Sequence, residues 1–328
     1  ELLLTAGNEQ IGSLAGGGTT GGVVTLGANT LTVGDANSTT FSGVITGTGG
    51  LIKVGVGTLT LDNAGTNYTG NTAVNAGTLA IGADMTIGGD LTQLAASGAV
   101  LDLGTSTLTL GGAYDANGNP LNVTVEGAAS GALITGGAAD LGGSTLNITI
   151  VGNITGGTTY QIINATGALT DVATIASSSP MVAFTSDGAG GFTSGLAGTG
   201  FAGASTDGNT SAVGAVFNEI FEGGTATGDM ADVMTTLLGM GSAAEIEAAM
   251  ETMVPDVTSG AMEASREGTG QFLGSISNRL GYRRNGLSGV ATGDMFQGTG
   301  FWIQGLGSHI QQDERKGTAG YQANVFGT

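Results

Sequence analysis

Few residues in this chain have the chemistry to run a reaction. Its single histidine is His309, so a Ser–His–Asp relay has one possible base. The run around it, 301–310, alternates loosely between apolar and polar residues, which reads as a strand and not as a catalytic loop. Cysteine is absent, which removes disulfides, thiolate metal sites and thiol nucleophiles together. A glycosidase or polysaccharide lyase needs a pair or cluster of carboxylates on one face. Asp84, Asp90, Asp102 and Asp115 are dispersed along the sequence with no cation near them, so they read as solvated turn and face residues. Ser186-Asp187-Gly188-Ala189-Gly190-Gly191 has the composition of a Ca²⁺-binding Gly/Asp repeat, but it offers one Asp and no tandem array. The expectation is no catalytic residue, no metal site, no cofactor, and a protein that is not an enzyme.

Charge narrows the partners. There are 26 acidic residues against 7 basic ones, a net charge of −19, and Lys53 is the only Lys or Arg before Arg266. Phosphate recognition needs clustered cations, so nucleic acid is excluded as a partner of the larger part. Electrostatic docking to anionic lipid fails for the same reason. Glycine supplies 65 of the 328 residues and proline only 3, without a three-residue period, so collagen is excluded. Apolar residues at 40% are too many for a disordered linker. The start, Glu1-Leu2-Leu3-Leu4, carries no leader pattern, and the chain reads as an internal fragment of something longer.

The elements follow from the hydrophobic period. Over 1–205, short segments such as Leu31-Thr32-Val33, Leu59-Thr60-Leu61, Leu79-Ala80-Ile81, Leu108-Thr109-Leu110 and Leu146-Asn147-Ile148 alternate in, out, in. Leu59 to Leu79 is a step of twenty residues and Leu79 to Leu101 one of twenty-two, the repeat of a solenoid whose rungs bury apolar faces by stacking. Hairpin dipeptides are scarce, Asn117-Gly118, Asp187-Gly188 and Asn285-Gly286 among the few, which favours parallel coils over an antiparallel sandwich. From 206 to 255 the period becomes helical. Val213, Val216, Phe217 and Ile220 form one stripe, and Met230, Val233, Met234, Leu237 and Leu238 a second. Ser242-Ala-Ala-Glu245 is a capping box opening a third helix with Ile246, Met250 and Met253 on one face. Residues 256–290 form a weak, Gly-containing amphipathic stretch that needs a container to stay helical. Residues 291–328 hold strand-like runs in the style of a tilted membrane strand, a turn and a second strand.

Two motifs carry a resemblance. Gly50-Leu-Ile-Lys53-Val-Gly55-Val-Gly57-Thr-Leu59-Thr-Leu61, followed by Tyr68-Thr-Gly70 and Gly77-Thr-Leu79, resembles the autotransporter-associated β-strand repeat, here spanning about 41–81. Ile52 departs from the family, which often has a polar residue there. Trp302, Gln304, Gly305 and Gly307, then Gly320 and Tyr321, look like the opening strands of the autotransporter β-barrel. The resemblance implies a right-handed parallel β-helix passenger, then short helices, a linker helix inside the pore, and the truncated start of an outer-membrane barrel. It implies a cell-surface passenger of a self-secreted protein, adhesin-like or structural. Its partners would be the outer membrane through the complete barrel, the outer-membrane assembly machinery, and host or matrix surface ligands. A β-helical carbohydrate-active enzyme displayed by the same route is the alternative. Residues 276–283 resemble the neighbourhood where some family members cut their linker, but Ser277 stands where the first Asn of that pair would be. The passenger is therefore expected to stay joined to its barrel.

Overall fold

The computed structural model describes residues 1–18, 21–254, 266, 269–274, 276–278, 280, 306–312 and 321–327. They fall in two compact units, Glu1–Met253 and Val254–Thr328.

The first unit is mainly a parallel β-solenoid of about seven turns. Each turn contributes a segment to three stacked sheets. Sheet I stacks Glu9–Ile11, Leu31–Val33, Leu51–Lys53, Thr72–Val74, Leu91–Gln93, Tyr114–Asp115, Ala139–Asp140 and Leu169–Thr170. Sheet II runs from Thr39–Phe41 through Thr58–Leu61, Thr78–Ile81, Val100–Asp102, Leu121–Glu126 and Thr145–Val151 to Thr174–Ser177. The third side comprises Leu2–Leu3, Val23–Thr25 and Val44–Thr46, and above them Met85–Ile87, Thr107–Leu110, Ala132–Thr135 and Ile163–Ala165. Residues 66–69 bridge the two groups. Asn67 N–H donates to Ile45 O at 3.0 Å, and Tyr68 O accepts from Gly88 N–H at 2.9 Å.

The period-two reading holds at each segment singled out in the sequence: Leu59, Leu61, Leu79, Ile81, Leu101, Leu103, Leu108, Leu110, Leu146 and Ile148 are all buried. Parallel register places Leu59 beside Leu79, Leu79 beside Leu101, Leu101 beside Leu121 and Leu121 beside Leu146. Each such leucine contributes roughly 1.5–3 kcal/mol of burial, and only because a rung lies on either side.

The coil does not run to residue 205 as the sequence suggests. After Ser177 the strands turn antiparallel: Val182–Ser186 pairs with Gly191–Leu196, which pairs in turn with Thr159–Gln161. The physical reason is the exposed end of a stack. Gly190 O accepts from the backbone N–H groups of both Ile162 and Ile163, groups that another coil would otherwise have to satisfy. The turn of this hairpin is Asp187-Gly188, one of the few hairpin signals in the sequence. There the Asp187 carboxylate accepts from Ala189 and Gly191 N–H and binds its own turn.

Three helices follow: α1 (Gly208–Gly223), α2 (Asp229–Leu238) and α3 (Ala243–Glu251). Asp207 caps α1, and the N–H groups of Thr210 and Asn209 hold its carboxyl below the usual carboxylate range. Gly224 ends α1 in the left-handed region at φ 60°. The capping box forms at Ser242 and Glu245. The helical stripes differ in detail from the expectation. In α1 the buried positions are Thr210, Gly214, Phe217 and Phe221, while Val216 is exposed. The contact is a close approach, since a Cβ on Gly214 would lie 2.5 Å from Phe201 O. Met230 and Met253 are also exposed, leaving Met234, Leu237, Leu238, Ile246 and Met250 as the packed residues of α2 and α3.

In the second unit, residues 266, 269–274, 276–278 and 280 are helical, including Ser277 and Asn278. Leu306–Gln312 and Tyr321–Gly327 pair antiparallel. Gly307 and Tyr321 lie in these strands, whereas Trp302, Gln304, Gly305 and Gly320 are outside the described residues. No described helix is long and apolar enough to cross a membrane, which says nothing of a β-barrel.

Candidate functional site

The repeat residues come together at the corner between sheets I and II. Leu51 and Lys53 share parity in their strand, so both point into the coil: Leu51 is 0% and Lys53 1% exposed. In register the column reads Val33, Lys53, Val74. The Lys53 ammonium donates to Val54 O at 2.8 Å, Gly55 O at 2.9 Å and Ala76 O at 3.1 Å. Its three N–H groups thus match three carbonyls, two from its own turn and one from the next. Burial pushes the Lys53 pKa down, and the Asp35 carboxylate of the preceding turn pulls it part of the way back.

Glycines make the corner possible. Gly55 (φ 70°) and Gly77 (φ 65°) turn the chain in the left-handed region, and a Cβ on Gly77 would lie 2.5 Å from both Gly55 O and Gly57 O. At Gly50, Gly57 and Gly70 a Cβ would meet backbone oxygens of the adjacent rung at 2.6, 2.1 and 2.3 Å. These glycines set rung-to-rung contact by allowing backbone to sit on backbone. Leu59, Leu61 and Leu79 line the interior of the same turns. Tyr68 is fully buried and shares a 2.6 Å hydroxyl–hydroxyl bond with Thr72. Burial lifts its phenol above the ordinary range, offset in part by that bond.

A second donor occupies the same column two rungs on. Gln93 follows Val74 in register and is 0% exposed. Its side-chain N–H₂ donates to Ala99 O at 2.7 Å and Pro120 O at 3.2 Å, and its carbonyl accepts from the Tyr114 hydroxyl at 2.6 Å. Sequence reasoning missed both inward donors. The signal that could have found them is the parity of Leu51-Ile52-Lys53 and of Leu91-Thr92-Gln93, which places the third residue on the same face as the buried first, against the usual exposure of Lys and Gln.

The four carboxylates weighed as lyase candidates each bind main chain. Asp84 accepts from Thr107 N–H, Asp90 from Ala113 N–H, Asp102 from Gly104 N–H and Asp115 from Asn117 N–H. Among the described residues no three His, Cys, Asp or Glu side chains gather as a metal site. His309 faces its partner strand, with Nδ1 2.6 Å from Asn324 Oδ1 and Nε2 3.1 Å from Gln322 Nε2. The corner at Lys53 is thus a site for holding rungs together, with every polar atom of the lysine engaged by backbone.

Comparison with known proteins agrees with that location. No curated protein and no solved structure matches the chain. Residues 51–81, from Leu51 of the corner to Ile81 of the next rung, match the family model of the passenger-associated transport repeat, a repeat of autotransporter passengers.

Proposed function

We propose that this chain is the C-terminal part of a surface-displayed autotransporter passenger, with its linker and the start of its translocator. The observation that carries the reading is the repeat at residues 51–81, whose lysine and glycines build the rung corner. On this reading the passenger is a right-handed coil that is non-catalytic and serves as a rod or adhesin. The complete barrel anchors it in the outer membrane after insertion by the assembly machinery, and its ligands are host or matrix surfaces. A chain free of Cys and rich in Gly crosses unfolded, then folds rung by rung outside. Each added rung buries apolar surface and opposes back-sliding without a nucleotide. The final turns with their antiparallel cover would serve as the folding nucleus.

The hairpin of the second unit supports the barrel part of the proposal. His309, Gln311, Gln322 and Asn324 share one face in register. Antiparallel pairing of neighbouring strands is what the opening of such a barrel requires. The test is expression of the full-length parent in an outer-membrane host, with protease added to intact cells. Loss of the passenger from intact cells, with the barrel protected, is the expected result. A passenger cleaved only after lysis would overturn display. Turnover of pectin-like polymers by the displayed chain would overturn the non-catalytic reading.

A further inference from the structure

We propose that the buried donors of the corner column, Lys53 above all and Gln93 after it, are register pins: they fix which residue of one rung lies against which residue of the next.

The need for such a pin is written into the stack. Successive rungs on sheet I are offset by 22, 20, 21, 19, 23, 25 and 30 residues, so loop length imposes no single register. The inward ladders of sheet II are rows of similar aliphatics, and there a slip of two residues would return aliphatic to aliphatic while keeping every face correct. Apolar burial alone discriminates weakly between those states. Lys53 discriminates strongly. Its ammonium holds Val54 O and Gly55 O of its own turn and reaches Ala76 O, 23 residues on, so one of its three bonds depends on the next rung. Slipping the next rung by two removes Ala76 O from a fully buried cation. Losing one charge-assisted bond shifts a two-register equilibrium by about ten-fold or more. Gln93 repeats the geometry two rungs later, tying its own turn at Ala99 to the next at Pro120 with a neutral amide. Val33 and Val74 alternate with the two donors, so each pin sits between rungs that have none. A buried polar group that selects one register is a recognised use of such groups in helical assemblies. Here the same logic operates in a β-coil.

Because the chain has no cysteine, paired Cys substitutions read register without background. Thr60 and Ala80 are direct neighbours across sheet II, so Thr60→Cys/Ala80→Cys reports the native register. Thr60→Cys/Thr78→Cys reports a two-residue slip, a diagonal too long for a disulfide in the native state. With Lys53 present, only the first pair should oxidise to a disulfide. In a Lys53→Met background the second pair should also close, its yield rising about ten-fold or more over background. A Lys53→Met chain that folds and still closes only the native pair would overturn the proposal. So would one that fails to fold, since the ammonium would then be a stability group. Gln93→Leu offers the milder version, read by Asp102→Cys/Asn122→Cys against Asp102→Cys/Thr124→Cys. A smaller rise in the slipped pair is expected, and none would remove Gln93 from the mechanism.

Discussion

The rungs of residues 1–177 and the cover of residues 178–253 solve opposite packing problems. In the rungs the interior is built from Leu, Ile, Val and Ala around a narrow axis, and Phe41 is the one phenylalanine before residue 178. In the cover, five phenylalanines fall between residues 184 and 221. Phe184 meets Tyr160 edge-on at 6.1 Å, Phe201 tilts against Phe217 at 6.0 Å, and Phe192 is fully buried. A rung is covered above and below by backbone at strand spacing, so large buried side chains such as Tyr68 and Tyr114 are few there and glycine fills the corners. The cover has no further rung to stack on, and large rings plus an antiparallel hairpin close it off. The repeat supplies length, and the aromatic segment supplies an end.

The largest effect should come from breaking the ladder itself. Leu79 lies between Leu59 and Leu101 with no exposure, so Leu79→Asp strands a carboxylate in the coil and should cost about 4 kcal/mol or more. Thr78, its outward neighbour, should tolerate Asp at about 1 kcal/mol. Phe192→Ala in the cover should fall between, at about 3 kcal/mol for a ring removed from a closed site. Chemical denaturation of the three variants checks the order. Equal losses at 78 and 79 would break the assigned register, and a Phe192→Ala loss under about 1 kcal/mol would break the account of the cover.

That first comparison rests on what the sequence shows openly. Alternation at Leu59-Thr60-Leu61 and the twenty-residue step to Leu79 are local features, so the rungs and their parallel stacking can be read without coordinates. The corner cannot be read so directly, because Lys53 is satisfied by main-chain oxygens, one of them 23 residues away. Backbone acceptors leave no trace in residue types. The cover reads as coil in the sequence for a different reason. Tyr160-Gln-Ile-Ile looks like a rung, yet Thr159–Gln161 pairs antiparallel with a strand thirty residues later while Ile163–Ala165 returns to the parallel stack. One short segment serves both regions, and period two is common to both.

An alkaline titration sharpens the comparison along the axis. Tyr68 and Tyr114 lie within the rungs, and burial lifts both phenols above their ordinary range, Tyr114 further because of the Asp115 carboxylate. Tyr160, at the junction, donates to Gly127 O and is pushed up to about 12 by burial. As pH rises past about 10, the unfolded chain releases these protons while the folded chain keeps them, so stability falls by roughly 1.4 kcal/mol per pH unit for each phenol. Lys53 acts with the opposite sign. Its lowered pKa means the folded state gives up its proton first, so its contribution to stability rises with pH until the unfolded amine also titrates near 10.5. Net loss should therefore steepen above about 10.5. Urea melts at stepped pH check this, and Tyr114→Phe should remove about a third of the slope. An unchanged slope would mean that Tyr114 is not protected in the rung.

The smallest effects set one hydroxyl from each region against the other. Ser194, in the cover, is 2% exposed and donates to Thr155 O at 2.7 Å and Thr158 O at 3.2 Å. Ser144, in the rungs, is 0% exposed and its hydroxyl finds no protein partner among the described residues. Its main chain is well used, with N–H donating to Leu141 O and C=O accepting from Ala173 and Thr174. Deleting a bonded buried hydroxyl strands its acceptors, whereas deleting an unbonded one relieves a desolvation cost. Ser194→Ala should therefore lose about 1–2 kcal/mol, and Ser144→Ala should be neutral or gain up to about 1 kcal/mol. The difference between the two sites survives any common offset from removing an oxygen. Matching losses at both sites would show that the Ser144 hydroxyl is bonded in solution, and that the rung interior satisfies its polar groups as fully as the cover does.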